Sequence, residues 1–264
     1  MRRPDLRDKT AIVTGSGRGI GRAAALKIAD CGARVIVTAR TENQIDAVAQ
    51  EILNKGGDAK SIRADVSREA DVHQLFEAAG NVDILVNNAG VIWPIDLLAN
   101  SDPAAWRQSI DINLTSVYST MREALPGMLS RGWGRIVNVS SGSARGTVAG
   151  WSAYSAAKAG VEAMTSVAAR EVADSGVTIN AVRPGIVDTE LQVEIRSSSE
   201  EQFTSENVER YRSYPDRGLL RPPEHPARLI LWLLSPEADN VNGELLVLDD
   251  PDVAARVGLT PMGR

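Results

Sequence analysis

The sequence has few of the residues that form disulfides and metal sites. It holds one cysteine and two histidines in 264 residues, and aromatic residues make up only 4% of it. Cys31 has no partner for an internal disulfide, so a reducing compartment is expected, with Cys31 packed as a small apolar residue at a helix end. His73 and His225 are far apart in the sequence and lie in polar surroundings, so we expect no histidine metal site.

An excess of positive charge and long apolar runs are also missing. The chain has 29 Lys and Arg against 34 Asp and Glu, a net charge of −5. Because polyanion binding needs a basic face, we expect no nucleic-acid partner. The apolar cluster at 229–234 is far shorter than the roughly 18 residues of a membrane span. Residues 1–10 are charged and leave no room for a signal sequence, so we expect a cytoplasmic protein with no membrane partner.

Short β-branched runs alternate with longer stretches of helical period along the whole chain. The predicted strands are 10–14, 34–38, 60–63, 83–87, 135–139, 177–182 and 245–248. The predicted helices are 20–30, 42–55, 68–79, 104–130 and 152–174. Near-continuous apolar strands are typical of a parallel sheet covered on both faces. The alternation predicts an α/β fold, a Rossmann-type doubly wound parallel sheet of about seven strands, in a single domain over 1–264.

One segment, 188–226, departs from this alternation. It is rich in Glu, Ser, Arg and Pro with scattered aromatic residues. Long insertions of this kind in a compact domain are more often lids or binding loops than connectors. We therefore expect a mobile, variable substrate loop here, with Phe203, Tyr211 and Tyr214 closing over the substrate.

The first predicted strand runs into the sequence TGSGRGIG. Gly15, Gly19 and Gly21 lie where the chain turns and opens a helix. Glycine lets the backbone approach a pyrophosphate closely, and a helix N-terminus presents N–H groups to the anion. A plain tight turn is the alternative, but the position after a strand and before a helix favours dinucleotide binding.

The end of the second strand decides between the two nicotinamide dinucleotides. An NAD site usually has an acid there for the ribose hydroxyls, whereas this chain has Arg40. Arg40 and Arg18 are suited to a 2′-phosphate, because guanidinium matches phosphate oxygens. We therefore expect NADP(H) to be preferred, with NAD(H) as the alternative. Glu42 argues against this assignment, and solvated surface arginines are the other interpretation.

The fifth predicted strand leads into Ser140 and Ser141, and the next helix carries Tyr154 and Lys158. At a spacing of four residues the two side chains project from one helix face. A tyrosine is a poor acid or base at neutral pH unless a neighbouring ammonium lowers its pKa. The same spacing also occurs by chance on any helix.

Taken together, the motifs resemble the short-chain dehydrogenase/reductase family. They are TGSGRGIG at 14–21, NNAG at 87–90, Asn113, Ser141, YSAAK at 154–158 and RPGIVDT at 183–189. They occur in family order from about residue 8 to residue 250. The resemblance implies an NAD(P)-dependent oxidoreductase acting on CH–OH groups of a small carbonyl or alcohol substrate.

The resemblance also implies a role for each matching residue. The catalytic residues are Asn113, Ser141, Tyr154 and Lys158. Tyr154 is the expected general acid/base and Lys158 the group that lowers its pKa and holds the nicotinamide ribose. Ser141 is expected to donate to the substrate oxygen, with Ser140 as the competing choice, and Asn113 to hold a relay water. The expected cofactor-binding residues are Gly15, Arg18, Gly19, Ile20, Gly21, Arg40, Asp65, Val66, Asn87, Ala89, Gly90, Tyr154, Lys158, Pro184, Gly185, Val187 and Thr189.

Two further expectations concern substrate and assembly. Trp93, Trp151 and Arg145 face the substrate, or the tryptophans fill a core and Arg145 is solvated. The small residues of helix 152–174 allow a close helix-to-helix subunit contact, and the resemblance implies a homotetramer or homodimer. Where the family commonly ends its last strand in Asp-Gly-Gly, this chain has Asp249, Asp250 and Pro251, so the path of the tail stays open.

The predicted function is hydride transfer between NADP(H) and a carbonyl or secondary alcohol. Two alternatives use the same fold. One is a cofactor-binding regulatory protein without turnover, and the other is a lyase or isomerase that recycles the cofactor. An NAD-dependent alcohol dehydrogenase of the same family is the nearest variant of the main prediction.

Overall fold

The computed structural model describes residues 3–146 and 148–260. The strands are β1 (Thr10–Thr14), β2 (Arg34–Thr38), β3 (Asp58–Ser61), β4 (Ile84–Asn87), β5 (Gly134–Val139), β6 (Val177–Arg183) and β7 (Leu245–Val247). The helices are α1 (Gly19–Ala29), α2 (Glu42–Asn54), α3 (Glu69–Ala79), α4 (Pro103–Ile110), α5 (Ser116–Arg131), α6 (Ser152–Glu171), α7 (Glu190–Arg196), α8 (Glu200–Phe203), α9 (Ser205–Arg212), α10 (Glu224–Leu233) and α11 (Pro251–Arg256).

Within the described residues the strands form one parallel sheet in the order β3-β2-β1-β4-β5-β6-β7. The order reverses between β1 and β4, because β2 and β3 lie on one side of β1 and the later strands on the other. In open α/β sheets ligands bind outside the carboxyl ends of the strands at such a reversal. The predicted doubly wound, single-domain fold is confirmed.

Helices cover both faces of the sheet and form two separate cores. On one side α1, α2 and α10 pack against strand residues such as Val13 and Val35. On the other side α3, α5 and α6 pack against Ile12 and Ile36. Successive strand residues therefore enter opposite cores, which explains the near-continuous apolar runs in the sequence. Cys31 is buried just after α1, as expected.

Two predicted elements differ from the structure. β3 begins at Asp58 rather than residue 60, and its exposed and half-buried residues alternate because it is the sheet's edge. Its pairing with β2 therefore decides the register, which the apolar pattern alone did not show. The single predicted helix 104–130 is divided by a π-helical turn at Asp111–Thr115, which separates α4 from α5.

A third core lies beneath the segment predicted as a mobile loop. α7, α8 and α9 bring Phe203, Tyr211 and Tyr214 against Trp151, and all four side chains are buried. The Trp151 and Phe203 rings are stacked with centroids 5.1 Å apart. The segment is therefore largely helical and packed onto the sheet domain, and the expected loop description is corrected. Its last residues, 224–226, form the first turn of α10.

After β7 the chain turns into a helix at the position where the family glycines are replaced. Asp250 caps α11 by accepting from the Asp252 amide at 2.9 Å, and Pro251 opens the helix. Ala254 and Val257 are fully buried. An Asp cap followed by Pro is a strong helix start, so the sequence change has a local structural reason. Residues 261–264 of the tail lie outside the described part of the chain.

Candidate functional site

A cleft of about 950 Å³ opens at the carboxyl ends of β1, β4, β5 and β6. The predicted site residues that line it are Gly15, Arg18, Gly19, Ile20, Arg40, Asp65, Val66, Ala89, Gly90, Ser141, Tyr154, Lys158, Pro184, Gly185, Val187 and Thr189. They come from seven separate stretches of sequence, and the sheet brings them to one edge. Gly21, Asn87 and Asn113 are the predicted residues that do not line it.

The glycine turn at one end of the cleft has a backbone that other residues would not adopt. Gly15 and Gly19 have φ of 63° and 55°, the left-handed region that favours glycine. A Cβ at Gly15 would lie 2.9 Å from the Ala89 Cα, so the two backbones are in close contact. No side chain among the described residues caps the first turn of α1, and that turn carries no acid. Free N–H groups and a close backbone fit the pyrophosphate of a dinucleotide.

Gly21 and Asn87 support the turn and the sheet instead of the cleft. A Cβ at Gly21 would lie 2.4 Å from the Gly15 carbonyl oxygen, so Gly21 allows α1 to pack against the strand end. The Asn87 amide donates to Asn138 at 2.9 Å and accepts from Thr120 at 2.7 Å. The Asn87 side chain is therefore bound inside the sheet and does not line the cleft.

Asn88 is the neighbouring residue that sequence reasoning missed. It lines the cleft, and its side-chain amide donates to the carbonyls of Thr14 and Gly15 at 2.9 and 3.1 Å. It thereby joins β4 to the glycine turn across the reversal of strand order. Both asparagines of NNAG were visible in the sequence, but only the alternation of side chains at the strand end shows which one faces the cleft.

The two arginines expected at a 2′-phosphate both line the cleft and are exposed. Arg18 lies 3.7 Å from Glu194 of α7, and both side chains of that pair are about half exposed. Arg63, which sequence reasoning did not select, donates from Nε to the Arg40 carbonyl at 3.0 Å. The end of β2 is therefore surrounded by positive charge.

Asp65 and Val66 lie beside this arginine cluster at the end of β3. One Asp65 carboxylate oxygen accepts from the Ser67 amide at 3.1 Å and from the Ser67 hydroxyl at 2.7 Å. The Asp65 amide in turn donates to Asp71 at 3.0 Å. These bonds fix the loop, while Asp65 and Val66 still line the cleft.

The catalytic candidates lie at the other end of the cleft. Tyr154 is buried in the first turn of α6, and its phenol lies beside Ser141. Burial raises the pKa of Tyr154, and the polar Ser141 side chain lowers it in part. Ser141 itself accepts from the Ser143 amide at 3.2 Å. The competing candidate, Ser140, is fully buried and its hydroxyl donates to Glu162 at 2.6 Å.

Lys158 is one turn along α6, buried on the same face as Tyr154. Its Nζ donates to the Val139 carbonyl at 2.8 Å and lies 5.7 Å from the centre of the Tyr154 ring. Burial lowers the pKa of Lys158 to about 8. The sequence led us to expect that Lys158 lowers the pKa of Tyr154. The structure differs, because burial of the phenol outweighs the other influences on its pKa.

Asn113 lies in the π-helical turn between α4 and α5. Its amide donates to the Val91 and Ser109 carbonyls at 2.9 and 3.0 Å, and its oxygen accepts from the Val91 amide at 3.1 Å. A Cβ at Gly90 would lie 2.8 Å from that oxygen and 3.7 Å from Lys158 Nζ. Asn113 is thus fully buried behind the cleft wall, close to the Lys158 ammonium. π-turns of this kind are frequent at functional sites.

The segment after β6 forms the wall opposite α6. Gly185 has φ of 77°, and a Cβ there would lie 3.1 Å from an Asp249 carboxylate oxygen. That carboxylate accepts from Arg221 at 2.6 and 3.0 Å, and Arg221 also pairs with Val187 through backbone hydrogen bonds on either side. Asp249, which follows β7, therefore holds Arg221 beside the Pro184–Gly185 turn.

The substrate end of the cleft has an aromatic wall with arginines around it. Trp93, Trp151, Tyr211 and Tyr214 line it, and Trp151 is also part of the third core. Arg145, Arg210 and Arg217 line the same cleft and are exposed. The Arg210 Nε donates to the Tyr214 hydroxyl at 2.8 Å. Phe203 is fully buried and lies outside the lining.

Residues 3–146 and 148–260 contain neither a cluster of metal ligands nor a helix able to span a membrane. No group of three or more His, Cys, Asp and Glu residues in these ranges is arranged to hold a metal ion. No helix there combines the length and apolar character needed to cross a bilayer.

Comparison with known proteins decides the family. The pattern of the short chain dehydrogenases matches residues 9–200. The chain is 38% identical over 245 residues to a 3-oxoacyl-(acyl-carrier-protein) reductase of Vibrio harveyi, covering 92% of this chain and 96% of that protein. The chain belongs to the short-chain dehydrogenase/reductase family. The expected resemblance and enzyme class are confirmed, and members of this family bind NAD(P).

Other relatives show the range of activities in the family. A D-beta-hydroxybutyrate dehydrogenase of Cupriavidus necator is 40% identical over 265 residues, covering 94% of this chain and 99% of that protein. A crystal structure provisionally assigned as a gluconate dehydrogenase from Agrobacterium tumefaciens superposes with a TM-score of 0.83 at 31% identity, covering 95% of this chain and 98% of the other. The fold is thus shared almost end to end, whereas the activities named differ.

Proposed function

We propose that this protein is an NADP(H)-dependent oxidoreductase that interconverts a carbonyl and a secondary alcohol, with Tyr154 as the general acid/base. The observation that carries the proposal is one cleft with the glycine turn at one end and Ser141, Tyr154 and Lys158 together at the other. A regulatory protein that only binds a cofactor would have no need for a buried acid–base group beside a buried lysine.

Each catalytic residue has a distinct role in this mechanism. Ser141 donates to the substrate oxygen and so stabilises the charge that develops there. Tyr154 delivers a proton to that oxygen on reduction and removes it on oxidation. Lys158, protonated below its pKa of about 8, brings a positive charge to within 5.7 Å of the centre of the Tyr154 ring, which offsets part of the effect of burial on the phenol. Bound NADP(H) supplies or accepts the hydride.

The cofactor preference depends on Arg18 and Arg40. Both line the cleft where the second strand ends, and neither side chain is buried. The glycine turn holds the pyrophosphate, and the two guanidinium groups match the 2′-phosphate. Pro184, Gly185, Val187 and Thr189 meet the nicotinamide end, and Asp65 and Val66 meet the adenine. The relay water is held at the Asn113 turn.

The substrate class that we propose for the first screen is a secondary alcohol carrying a carboxylate. The cleft combines an aromatic wall with Arg145, Arg210 and Arg217, and guanidinium groups pair well with carboxylates. Relatives are named for D-beta-hydroxybutyrate and for cis-4-hydroxycyclohexanecarboxylate, while another is named for cyclohexanol. A screen of these three alcohols and gluconate spans charged and uncharged substrates.

The first experiment is a fluorescence titration with NADPH and NADH of the wild-type protein and of Arg40→Asp. We expect tighter binding of NADPH by wild type and a reversal in the variant, since the change replaces an attractive charge with a repulsive one. Arg107→Asp is the matched control, because Arg107 is exposed on α4 and does not line the cleft. An unchanged ratio of the two dissociation constants in Arg40→Asp would contradict the assignment.

The proposal also includes a homo-oligomer. Tyr118 and Leu129 of α5 and Val167 of α6 are exposed apolar residues on the outer helices. Burial of such residues between subunits would stabilise a dimer or tetramer. Analytical ultracentrifugation tests this, and a monomer at all concentrations would contradict it.

A further inference from the structure

One face of α6 connects to the end of β5 through successive turns of the helix. Tyr154 and Lys158 are four residues apart, so they share this face. The Tyr154 phenol lies beside Ser141, and Lys158 Nζ donates to the Val139 carbonyl at 2.8 Å. Two residues of the strand end therefore meet two successive turns of the helix.

The residue between those two strand residues is bound to the next turn of the same helix. Ser140 is 2% exposed, and its hydroxyl donates to Glu162 Oε1 at 2.6 Å. Glu162 follows Lys158 by four residues, so it continues the same face. Three consecutive residues, 139 to 141, thus each meet one of three successive turns of α6, and residues 139 and 140 are hydrogen-bonded there.

Glu162 also binds the segment on the opposite side of the cleft. Both of its oxygens accept from the Arg183 guanidinium, at 2.7 Å each, in the two-bond arrangement that fixes geometry best. Arg183 is the last residue of β6 and lines the cleft, and Pro184 follows it directly. One carboxylate therefore joins three parts of the chain, namely α6, Ser140 at the end of β5, and the turn at Pro184.

The energetics favour a positional role for this pair over a stabilising one. The side chains of Arg183 and Glu162 are 9% and 17% exposed, so both charges are largely removed from water. The desolvation cost of such a pair offsets most of its attraction, and an apolar pair of similar size is often as stable. What an apolar pair cannot reproduce is the set of directed bonds to Ser140 and Arg183.

From this geometry we infer that Glu162 is a positioning residue for hydride transfer. It acts through Ser140 to set the Ser141 hydroxyl, and through Arg183 to set the Pro184 turn, both relative to Tyr154. The inference rests on the proposed function, because it assigns the orientation of that same catalytic group.

The test separates positioning from stability by replacing both charges at once. In Glu162→Leu/Arg183→Met no unpaired charge is left buried, so we expect a melting temperature close to that of wild type. Single-turnover hydride transfer from NADPH is then followed by absorbance, with the ketone that corresponds to the screened alcohol that wild type oxidises fastest. We expect the rate constant to fall about 10-fold or more at full amplitude, since small misplacements of reacting groups are costly.

Two further variants complete the design. Ser140→Ala removes only the hydrogen bond between Ser140 and Glu162 and keeps the Glu162–Arg183 ion pair. It replaces the double variant as the test if the double variant does not fold. We expect a smaller loss, about 3- to 10-fold, with the same full amplitude. The control is Arg135→Met/Asp239→Asn, which removes an ion pair of 2.6 Å at the other end of β5. We expect its rate constant to be that of wild type.

Each outcome has a defined meaning. A lower rate constant at full amplitude in the double variant and in Ser140→Ala supports the positioning role. A wild-type rate constant, or a lower amplitude with a normal rate constant, overturns it, because the latter shows only a loss of folded protein. If wild type itself transfers no hydride to any panel compound, the proposed function fails first, and the inference fails with it.

Discussion

The two ends of the cleft are built from different parts of the chain. The cofactor end is made by backbone, with Gly15 and Gly21 in close contact with the residues that follow β4 and Gly19 close to Thr189. The catalytic end is made by side chains, and Tyr154 and Lys158 are both buried there. The cofactor end depends on glycines, whose lack of a side chain lets the backbone segments approach each other. The catalytic end depends on polar side chains that are buried away from water, which costs stability and perturbs their pKa values.

The largest effect is expected at the catalytic end, where one hydroxyl stabilises developing charge. Ser141→Ala should lower kcat about 100-fold or more, as loss of such a donor does in other enzymes. The dissociation constant for NADPH should stay near that of wild type, because Ser141 is assigned to the substrate oxygen. Steady-state kinetics and fluorescence titration measure the two. Equal losses of kcat and cofactor affinity would mean that the ends are not separate.

The next largest effect is expected at the cofactor end, where replacing a glycine inside a helix is compared with replacing a glycine inside another helix. A Cβ at Gly21 would lie 2.4 Å from the Gly15 carbonyl oxygen, whereas one at Gly127 would meet only the movable end of Arg131 at 3.0 Å. Gly21→Ala should therefore lower the free energy of unfolding by about 1–3 kcal/mol. Gly127→Ala should raise it by up to about 1 kcal/mol through helix propensity. Denaturant titration of both variants checks this, and equal effects would contradict the packing argument.

A smaller effect concerns the stability cost of the buried lysine. Its pKa is about 8 in the folded protein against an ordinary lysine value of 10.5, which corresponds to a penalty of about 3 kcal/mol at pH 7. Lys158→Met removes that penalty but also the bond to Val139, worth about 1 kcal/mol. We expect the variant to be inactive and more stable than wild type by about 1–2 kcal/mol at pH 7.

The pH dependence of that difference has a definite sign. Between pH 8 and 10.5 the unfolded chain binds more protons at Lys158 than the folded one, so wild type gains stability as the pH rises. The advantage of Lys158→Met should shrink over that window. Thermal melts at several pH values test this, and an advantage that grows with pH would contradict the burial argument.

The smallest effect concerns the contact between the two ends. Arg18 and Glu194 are 3.7 Å apart and both are about half exposed. Glu194→Gln should change the free energy of unfolding by less than about 0.5 kcal/mol, since water screens such pairs. It should strengthen NADPH binding modestly, because Arg18 loses a competing partner. Weaker NADPH binding would contradict the assignment of Arg18 to the phosphate.

The sequence predicts the cofactor end of the cleft better than the catalytic end, because only the cofactor end depends on a local motif. The glycine turn is readable because its requirement is local, a strand followed by residues that tolerate positive φ. The Glu162–Arg183 pair is not readable, because a helix and a strand 21 residues apart must first be packed. Likewise Asn88, and not Asn87, faces the cleft, a choice that one residue of strand register decides.

Segment 188–226 shows a second limit of prediction from the sequence. The charged and proline-rich composition of 188–226 indicated a mobile loop, yet α7, α8 and α9 pack there. Its apolar residues are sparse, but Phe203, Tyr211 and Tyr214 are large and buried together on Trp151. A few aromatic side chains bury enough area to order a polar segment, and composition averages do not show this.

The central claim is that Tyr154 moves the proton that accompanies hydride transfer. The most direct measurement is single-turnover oxidation of NADPH by wild type and by Tyr154→Phe, each with its NADPH dissociation constant. The account predicts a rate constant about 100-fold or more lower in the variant with the dissociation constant within about twofold. A variant that binds NADPH equally well and turns over at the wild-type rate would contradict the account.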